Sequence, residues 1–300
     1  MKIGYPCINR TLDCRGNKTF RLKSYSEQRL IQTVENNLNC LNNMIDFNIK
    51  NNLLFFRITS DLVPFASHSV CTFNWQEYFS KKLENIGKII KQNKIRISMH
   101  PNQFIVLNSK NKEVVNRSIK ELFYHAQILD LMKLDYTAKI QLHVGGAYGD
   151  KKQSIQRFIN NYSTLNQKIK NRLVIENDDR IYSIKECLHI SDKTDIPILF
   201  DVFHHSIINN NEPIKQILHN TKDTWQKKDG IPLADYSSQE PGEKTGKHAQ
   251  TINLDDFEKF IKESRPFDFD IMLEIKDKEK SAIKAYEIAK KDKRILKVKN

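Results

Sequence analysis

Lys139-Ile140-Gln141-Leu142-His143 is a short run, followed by an amphipathic stretch from Ser154 to Ile169 and then by Leu173-Val174-Ile175-Glu176. Both runs are too short for a helix and largely apolar on both faces, as strands of a parallel sheet covered on two sides must be. The stretch between them carries apolar residues at three- and four-residue spacing, which predicts a helix. Strand, helix and strand in this order imply parallel pairing through a right-handed crossover.

Working outward, similar runs recur at Lys2 to Tyr5, Leu53 to Ile58, Ile95 to Met99, Ile198 to Asp201, Ile231 to Ser237 and Phe269 to Ile275, which makes eight. Between them lie predicted helices with polar or proline starts: Ser26-Glu27 to about Ile49, Asn74 to about Gln92, Glu113 to Met132, Ser183 to Ile190, Glu212 to Leu218, Asp255 to Glu263 and Glu279 to Lys291. Eight such units in 300 residues fit a single closed (β/α)8 TIM barrel better than the alternative, an open doubly wound sheet. No linker or low-complexity tract breaks the alternation, so one α/β domain is expected over residues 1–300.

A chain with 39% hydrophobic residues has enough apolar material for a sizeable core. No stretch approaches the roughly 18 apolar residues of a membrane span, and no export signal opens the chain, so a soluble, intracellular protein is expected. Cys7, Cys14, Cys40, Cys71 and Cys187 lack the spacing of a zinc ribbon or a disulfide framework, and reduced thiols are expected. A net charge of +13 and a pI near 9.3 create a field that attracts polyanions, nucleic acid foremost. Abundant Lys, Asn and Ile would also follow from an AT-rich genome, which is the alternative source of that charge.

Metal-ligand residue types sit at the end of nearly every proposed strand. His100 follows the third, His143 ends the fourth, Glu176 the fifth and Asp201 the sixth, with His204 and His205 just beyond. Asp235 lies in the seventh with His248 in the loop after it, and Glu274 ends the eighth. In a barrel these ends converge on one face. A lone strand-end His or Asp usually caps a helix, but this density of carboxylates and imidazoles requires cations among them. Mixed N and O donors suit Zn²⁺, Mn²⁺ or Fe²⁺ better than Ca²⁺ and are too many for one ion, so two or three ions are expected. Clustered divalent metals carry out phosphodiester hydrolysis. With a basic chain around them, DNA is the leading substrate; a barrel sugar isomerase is the rival.

The strings Gly4-Tyr5-Pro6-Cys7, Pro64-Phe65-Ala66-Ser67-His68, Met99-His100-Pro101-Asn102-Gln103, Leu142-His143-Val144-Gly145-Gly146-Ala147-Tyr148-Gly149, Glu176-Asn177-Asp178-Asp179, Asp201-Val202-Phe203-His204-His205 and Ser238-Gln239 occur in this order. In these strings the chain resembles the ultraviolet damage endonuclease family and, more distantly, the apurinic endonuclease IV barrel. The resemblance implies nicking of double-stranded DNA immediately 5′ to pyrimidine photodimers, leaving a 3′-hydroxyl and a 5′-phosphate, with Mn²⁺ the usual ion and Zn²⁺ or Mg²⁺ as alternatives. It implies no membrane and no obligate protein partner. Carried over, the metal ligands are His100, His143, Glu176, Asp201, His204, His248 and Glu274, with Asp235 at the place of another. His68 and Lys151 match positions near the substrate phosphates, and with Glu176 they form the expected catalytic set. Tyr5, Asn9, Gln103 and Phe104 match the residues that feel for the lesion, where an amide and an aromatic ring can wedge into a poorly stacked site.

The chain departs from the resemblance at one place. Where the family has Lys, one residue and His in the seventh strand, it has Leu233-Ala234-Asp235. The expectation is that Asp235 serves as a harder, anionic ligand favouring Mn²⁺ or Mg²⁺. The alternative is that Asp235 bonds a neighbouring loop and the site runs with one ion fewer.

Overall fold

In the computed structural model, which describes residues 1–296, the eight runs form eight parallel strands that close into a barrel in sequence order. The strands are β1 (Ile3–Pro6), β2 (Phe55–Ile58), β3 (Arg96–Met99), β4 (Lys139–His143), β5 (Leu173–Glu176), β6 (Ile198–Asp201), β7 (Leu233–Tyr236) and β8 (Asp270–Leu273). After each comes a main helix: α1 (Glu27–Lys50), α2 (Ser80–Gln92), α3 (Lys112–Leu131), α4 (Lys151–Ser163), α5 (Ile184–Thr194), α6 (Ile214–Lys222), α7 (Leu254–Glu263) and α8 (Glu279–Ala289). The last strand pairs with the first, Ile3 opposite Ile271, so no edge is left open.

Side chains alternate between the barrel interior and the helix layer, and closure stacks the inward ones in tiers. At the floor, Lys139 pairs with Asp229 and Arg96 with Asp270, all of them buried. Above it lies an apolar tier of Phe55, Val174, Leu199, Leu233 and Met272, against which Trp225 packs. Two residues further along each of these strands the tier is polar: Arg57, Glu176, Asp201, Asp235 and Glu274. An apolar plug thus separates the floor's ion pairs from the chemistry at the C-terminal ends.

Several expected helices have different bounds. The Asn74 to Gln92 stretch is two helices, Trp75–Tyr78 and α2, because the chain turns at Phe79 to bury that ring and Trp75 together. The Ser154 to Ile169 helix starts earlier, where Asp150 caps Gln153 through its side chain, and ends at Ser163; a separate short helix spans Gln167–Lys170. The Glu212 to Leu218 helix lies at Ile214–Lys222, behind Pro213.

The cysteine expectation also needs correction. Cys14 and Cys40 form a disulfide with Cα atoms 5.7 Å apart, which ties the loop after β1 to α1. Their 26-residue separation matches no framework spacing, and only the fold brings them together. Cys7, Cys71 and Cys187 are free. Among the described residues, no helix is long and apolar enough to cross a membrane.

Candidate active site

Strand register assembles the site. His143 stands opposite Glu176 on the neighbouring strand, and Asp201 stands opposite Asp235. His100 Nε2 lies 3.5 Å from Glu176 Oε2, His143 Nε2 lies 3.8 Å from Glu176 Oε1, and His204 Nδ1 lies 3.3 Å from that same Oε1. His204 arrives on a short helix, Val202–Ile207, whose N-cap is Asp201; the cap's Oδ1 accepts from the His204 amide at 2.7 Å. Capping therefore fixes a carboxylate and an imidazole together. Three groups result, each with donor atoms within 4.8 Å of one another: His100, His143 and Glu176; Glu176, Asp201 and His204; and Asp201, Asp235 and Glu274. Imidazole nitrogens and carboxylate oxygens are donors suited to Mn²⁺, Zn²⁺ or Fe²⁺.

Orientation comes from the backbone around these side chains. His100 Nδ1 donates to the Pro101 carbonyl at 2.7 Å, and His248 Nδ1 donates to the Glu274 carbonyl at 2.9 Å, leaving each Nε2 as the free donor atom for a cation. Asn177 clamps β5 to β6: its amide donates to the Asp201 carbonyl and accepts from the Asp201 N–H, both at 2.9 Å. Gly145 follows His143 at φ 111°, and a Cβ there would stand 2.3 Å from Asn108 Oδ1. Only glycine allows the loop to turn so tightly beside the site.

The charges are far from their ordinary balance. Burial alone would raise the Glu176 carboxyl, but His143, His100 and His204 outweigh it and hold it well below the usual range. Burial opposes protonation of His204, yet Asp201 and Glu176 push it up to about 11. Burial raises Asp201 well above the usual carboxylate value against the pull of His204, and raises Asp235 to about 7 against the pull of Arg57. Burial would raise Glu274 too, but Arg57 brings it down to about 2. Asp201 Oδ2 and Asp235 Oδ1 are buried with no hydrogen-bond partner. Imidazoles and unpaired carboxylate oxygens in this density fit divalent cations.

The remaining expected residues divide. Phe104 is 73% exposed, Gln103 beside it is exposed, and both line a cavity of about 840 Å³ whose wall includes His143, Tyr148 and Arg180. Phe104 is therefore no core aromatic. His248 sits at the rim, its Nε2 4.0 Å from Glu274. His68 is exposed on the loop after β2 and Lys151 opens α4, where its Nζ meets Glu186 Oε1 at 2.5 Å; neither belongs to the three groups. Tyr5 and Asn9, expected to feel for the lesion, lie beneath the surface. Both are buried, with Asn9 Nδ2 donating to the Tyr5 hydroxyl at 2.9 Å and that hydroxyl donating to Asn48 Oδ1 at 2.8 Å. Tyr5 lies within β1, so its ring turns onto Phe56 and not toward solvent. His205 likewise turns away, its Nε2 3.2 Å from the Glu212 carbonyl.

Two residues of the site went unread in the sequence. Arg57, 3% exposed, enters from β2 with NH2 2.6 Å from Asp235 Oδ2 and NH1 bonded to Glu274. Gln141 accepts from Arg57 NH2 at 2.6 Å, donates to Asp235 Oδ2 at 2.6 Å and also donates to Glu176. The available signal was a charged or amide side chain between apolar neighbours in mid-strand.

Fold and site together define a (β/α)8-barrel enzyme whose strand ends carry donor groups able to hold divalent cations. The chain belongs to the UV-endonuclease UvdE family, whose profile matches residues 1–300, and so to a class of endodeoxyribonucleases. It is 43% identical over 286 residues to the UV DNA damage endonuclease of Clostridium perfringens (strain 13 / Type A), covering 95% of this chain and 69% of that protein. The solved structure of SacUVDE superposes with a TM-score of 0.94 at 48% identity, covering 98% of this chain and all of that one. Endonuclease IV from Thermus thermophilus, at 12% identity and a TM-score of 0.52 over 78% of this chain and 87% of that one, shares the fold alone.

Proposed function

We propose that this chain is a metal-dependent DNA repair endonuclease that nicks double-stranded DNA 5′ to ultraviolet photolesions, pyrimidine dimers first and abasic sites as well. Hydrolysis of the phosphodiester leaves a 3′-hydroxyl and a 5′-phosphate. One observation carries the reading: two donor groups share Glu176 beside an open cavity from which Phe104 projects into solvent.

His100, His143, Glu176, Asp201 and His204 would hold the ions, with His248 and Glu274 at the rim. Divalent ions there, Mn²⁺ foremost and Zn²⁺ or Mg²⁺ as alternatives, supply an acidified water and neutralise the phosphate's developing charge. The protein's own part is positioning. Gln141 and the imidazoles keep Glu176 ionised and directed. The exposed Arg180 lines the cavity and, with Lys151 at the start of α4, would meet backbone phosphates, while His68 would meet the strand from the loop after β2. Gln103 and Phe104 would enter the base stack where a photodimer has already weakened it. Tyr5 and Asn9 support this face from within.

The test is nicking of irradiated and unirradiated supercoiled plasmid in Mn²⁺ and in chelator. Nicking of irradiated plasmid that is abolished by chelator supports the reading. Equal nicking of both plasmids, or nicking that survives full chelation, contradicts it.

A further inference from the structure

We infer that the Arg57 guanidinium fills the cation position of the Asp201, Asp235 and Glu274 group, so that this chain holds two divalent ions although its strand ends offer three donor groups. The inference rests on the metal-dependent reading above and deepens it.

The third group differs from the others in two ways. It contains no imidazole, and a cation of the protein already reaches into it. Arg57 NH2 lies 2.6 Å from Asp235 Oδ2 while NH1 bonds Glu274 Oε1, so one guanidinium spans two of the three carboxylates. A guanidinium stays charged at any pH a protein survives, and its fork is rigid. Gln141 fixes it further by accepting from NH2 at 2.6 Å. Asp235 Oδ2 takes two hydrogen bonds, from Arg57 and Gln141, each at 2.6 Å, which leaves Oδ1 as its one oxygen without a partner.

The departure in β7 fits this arrangement. Leu233 packs among Phe55, Val174, Leu199 and Met272 in the apolar tier. Asp235, two residues on, then serves as the counterion of Arg57, and the alternative of one ion fewer is the one the geometry favours. In the other two groups Glu176 and Asp201 meet imidazoles, and among the described residues neither forms an ion pair with Arg57. Asp201 belongs to both the second and third groups, and its unpartnered Oδ2 lies 3.4 Å from His204 Nδ1, the imidazole of the second. Arg57 also acts at a distance as a positioning residue: through Gln141, which bonds Glu176, it steadies the carboxylate common to both occupied groups.

The experiment saturates the full chain with Mn²⁺, removes free metal and counts Mn per chain by mass spectrometry, alongside Arg57→Gln and Asp235→Asn. The expected counts are two in the parent, two in Asp235→Asn and three in Arg57→Gln, where the freed carboxylates take up an ion. Three in the parent, a fall to one in Asp235→Asn, or a soluble Arg57→Gln that stays at two overturns the inference. An anomalous map of parent crystals at the manganese edge decides it even if Arg57→Gln does not fold. Two peaks, none among Asp201, Asp235 and Glu274, are expected, and a peak bounded by those three side chains refutes it. No bound Mn at all in the parent defeats the metal reading itself, an outcome distinct from a count of three.

Discussion

Replacing Gln103 and Phe104 together by alanine is predicted to leave the fold intact and to slow nicking at a photodimer. Phe104 is 73% exposed, and its own amide bonds only the Asn102 side chain at 3.2 Å, so truncating the ring removes little packing. Stability should change by no more than about 0.5 kcal/mol. A base stacked on an aromatic ring is worth roughly 1 to 3 kcal/mol, so losing that contact should slow cutting by about 5- to 150-fold. The loss should be smaller at an abasic site, where one strand has no base to displace and the duplex bends readily. Single-turnover cleavage of end-labelled duplexes, each with one photodimer or one abasic site, measures both losses. Equal losses on the two substrates would refute the wedge. A melting temperature lowered by more than about 5 °C would show instead that the pair supports the fold.

Glu176→Gln removes the carboxylate shared by two donor groups. It should lower bound Mn²⁺ and cut single-turnover cleavage at least about a thousandfold, the effect of several kcal/mol of lost transition-state stabilisation, while duplex affinity measured in Ca²⁺ or chelator stays near the parental value. Near-parental cutting by this variant would remove Glu176 from the site. At the barrel floor, burial brings Lys139 down from 10.5 to about 8 despite its pairing with Asp229. Between those values the unfolded chain binds a proton that the folded chain does not, so stability from this group rises with pH from about 8 to 10.5, by about 3 kcal/mol at most. Denaturant unfolding across that range should show the rise in the parent and its loss in Lys139→Met/Asp229→Asn; parallel curves would contradict the depressed value.

The barrel was legible because both of its periodicities were. Runs such as Leu173-Val174-Ile175 are apolar on both faces, which only a covered parallel sheet requires, and the helical spacing between the runs left few topologies. His143, Glu176 and Asp201 were legible because they end such runs, and strand ends meet on one face whatever the details of packing. Arg57 and Gln141 were not. A single polar residue inside an apolar run looks the same whether it faces the helix layer or the barrel interior, and only register and closure show that both face inward toward Asp235. The burial of Tyr5 was hidden for a related reason: motif position locates a residue along the chain but does not say which side of the strand its ring takes. The helix break at Phe79 and the Cys14–Cys40 disulfide depend on contacts across the fold that local spacing does not encode.

The proposed reaction is hydrolysis of one phosphodiester bond 5′ to a photolesion by ions held at the strand ends. It is tested most directly on a duplex carrying one site-specific pyrimidine dimer, labelled at either end, incubated with the metal-stripped chain and then with added Mn²⁺. The predicted result is no cutting before Mn²⁺ and, after it, one nick immediately 5′ to the dimer, with a 3′ end that a polymerase extends and a 5′ end that a phosphatase dephosphorylates. A nick on the 3′ side, a 3′ end that cannot be extended, or equal cutting by the stripped chain would contradict it.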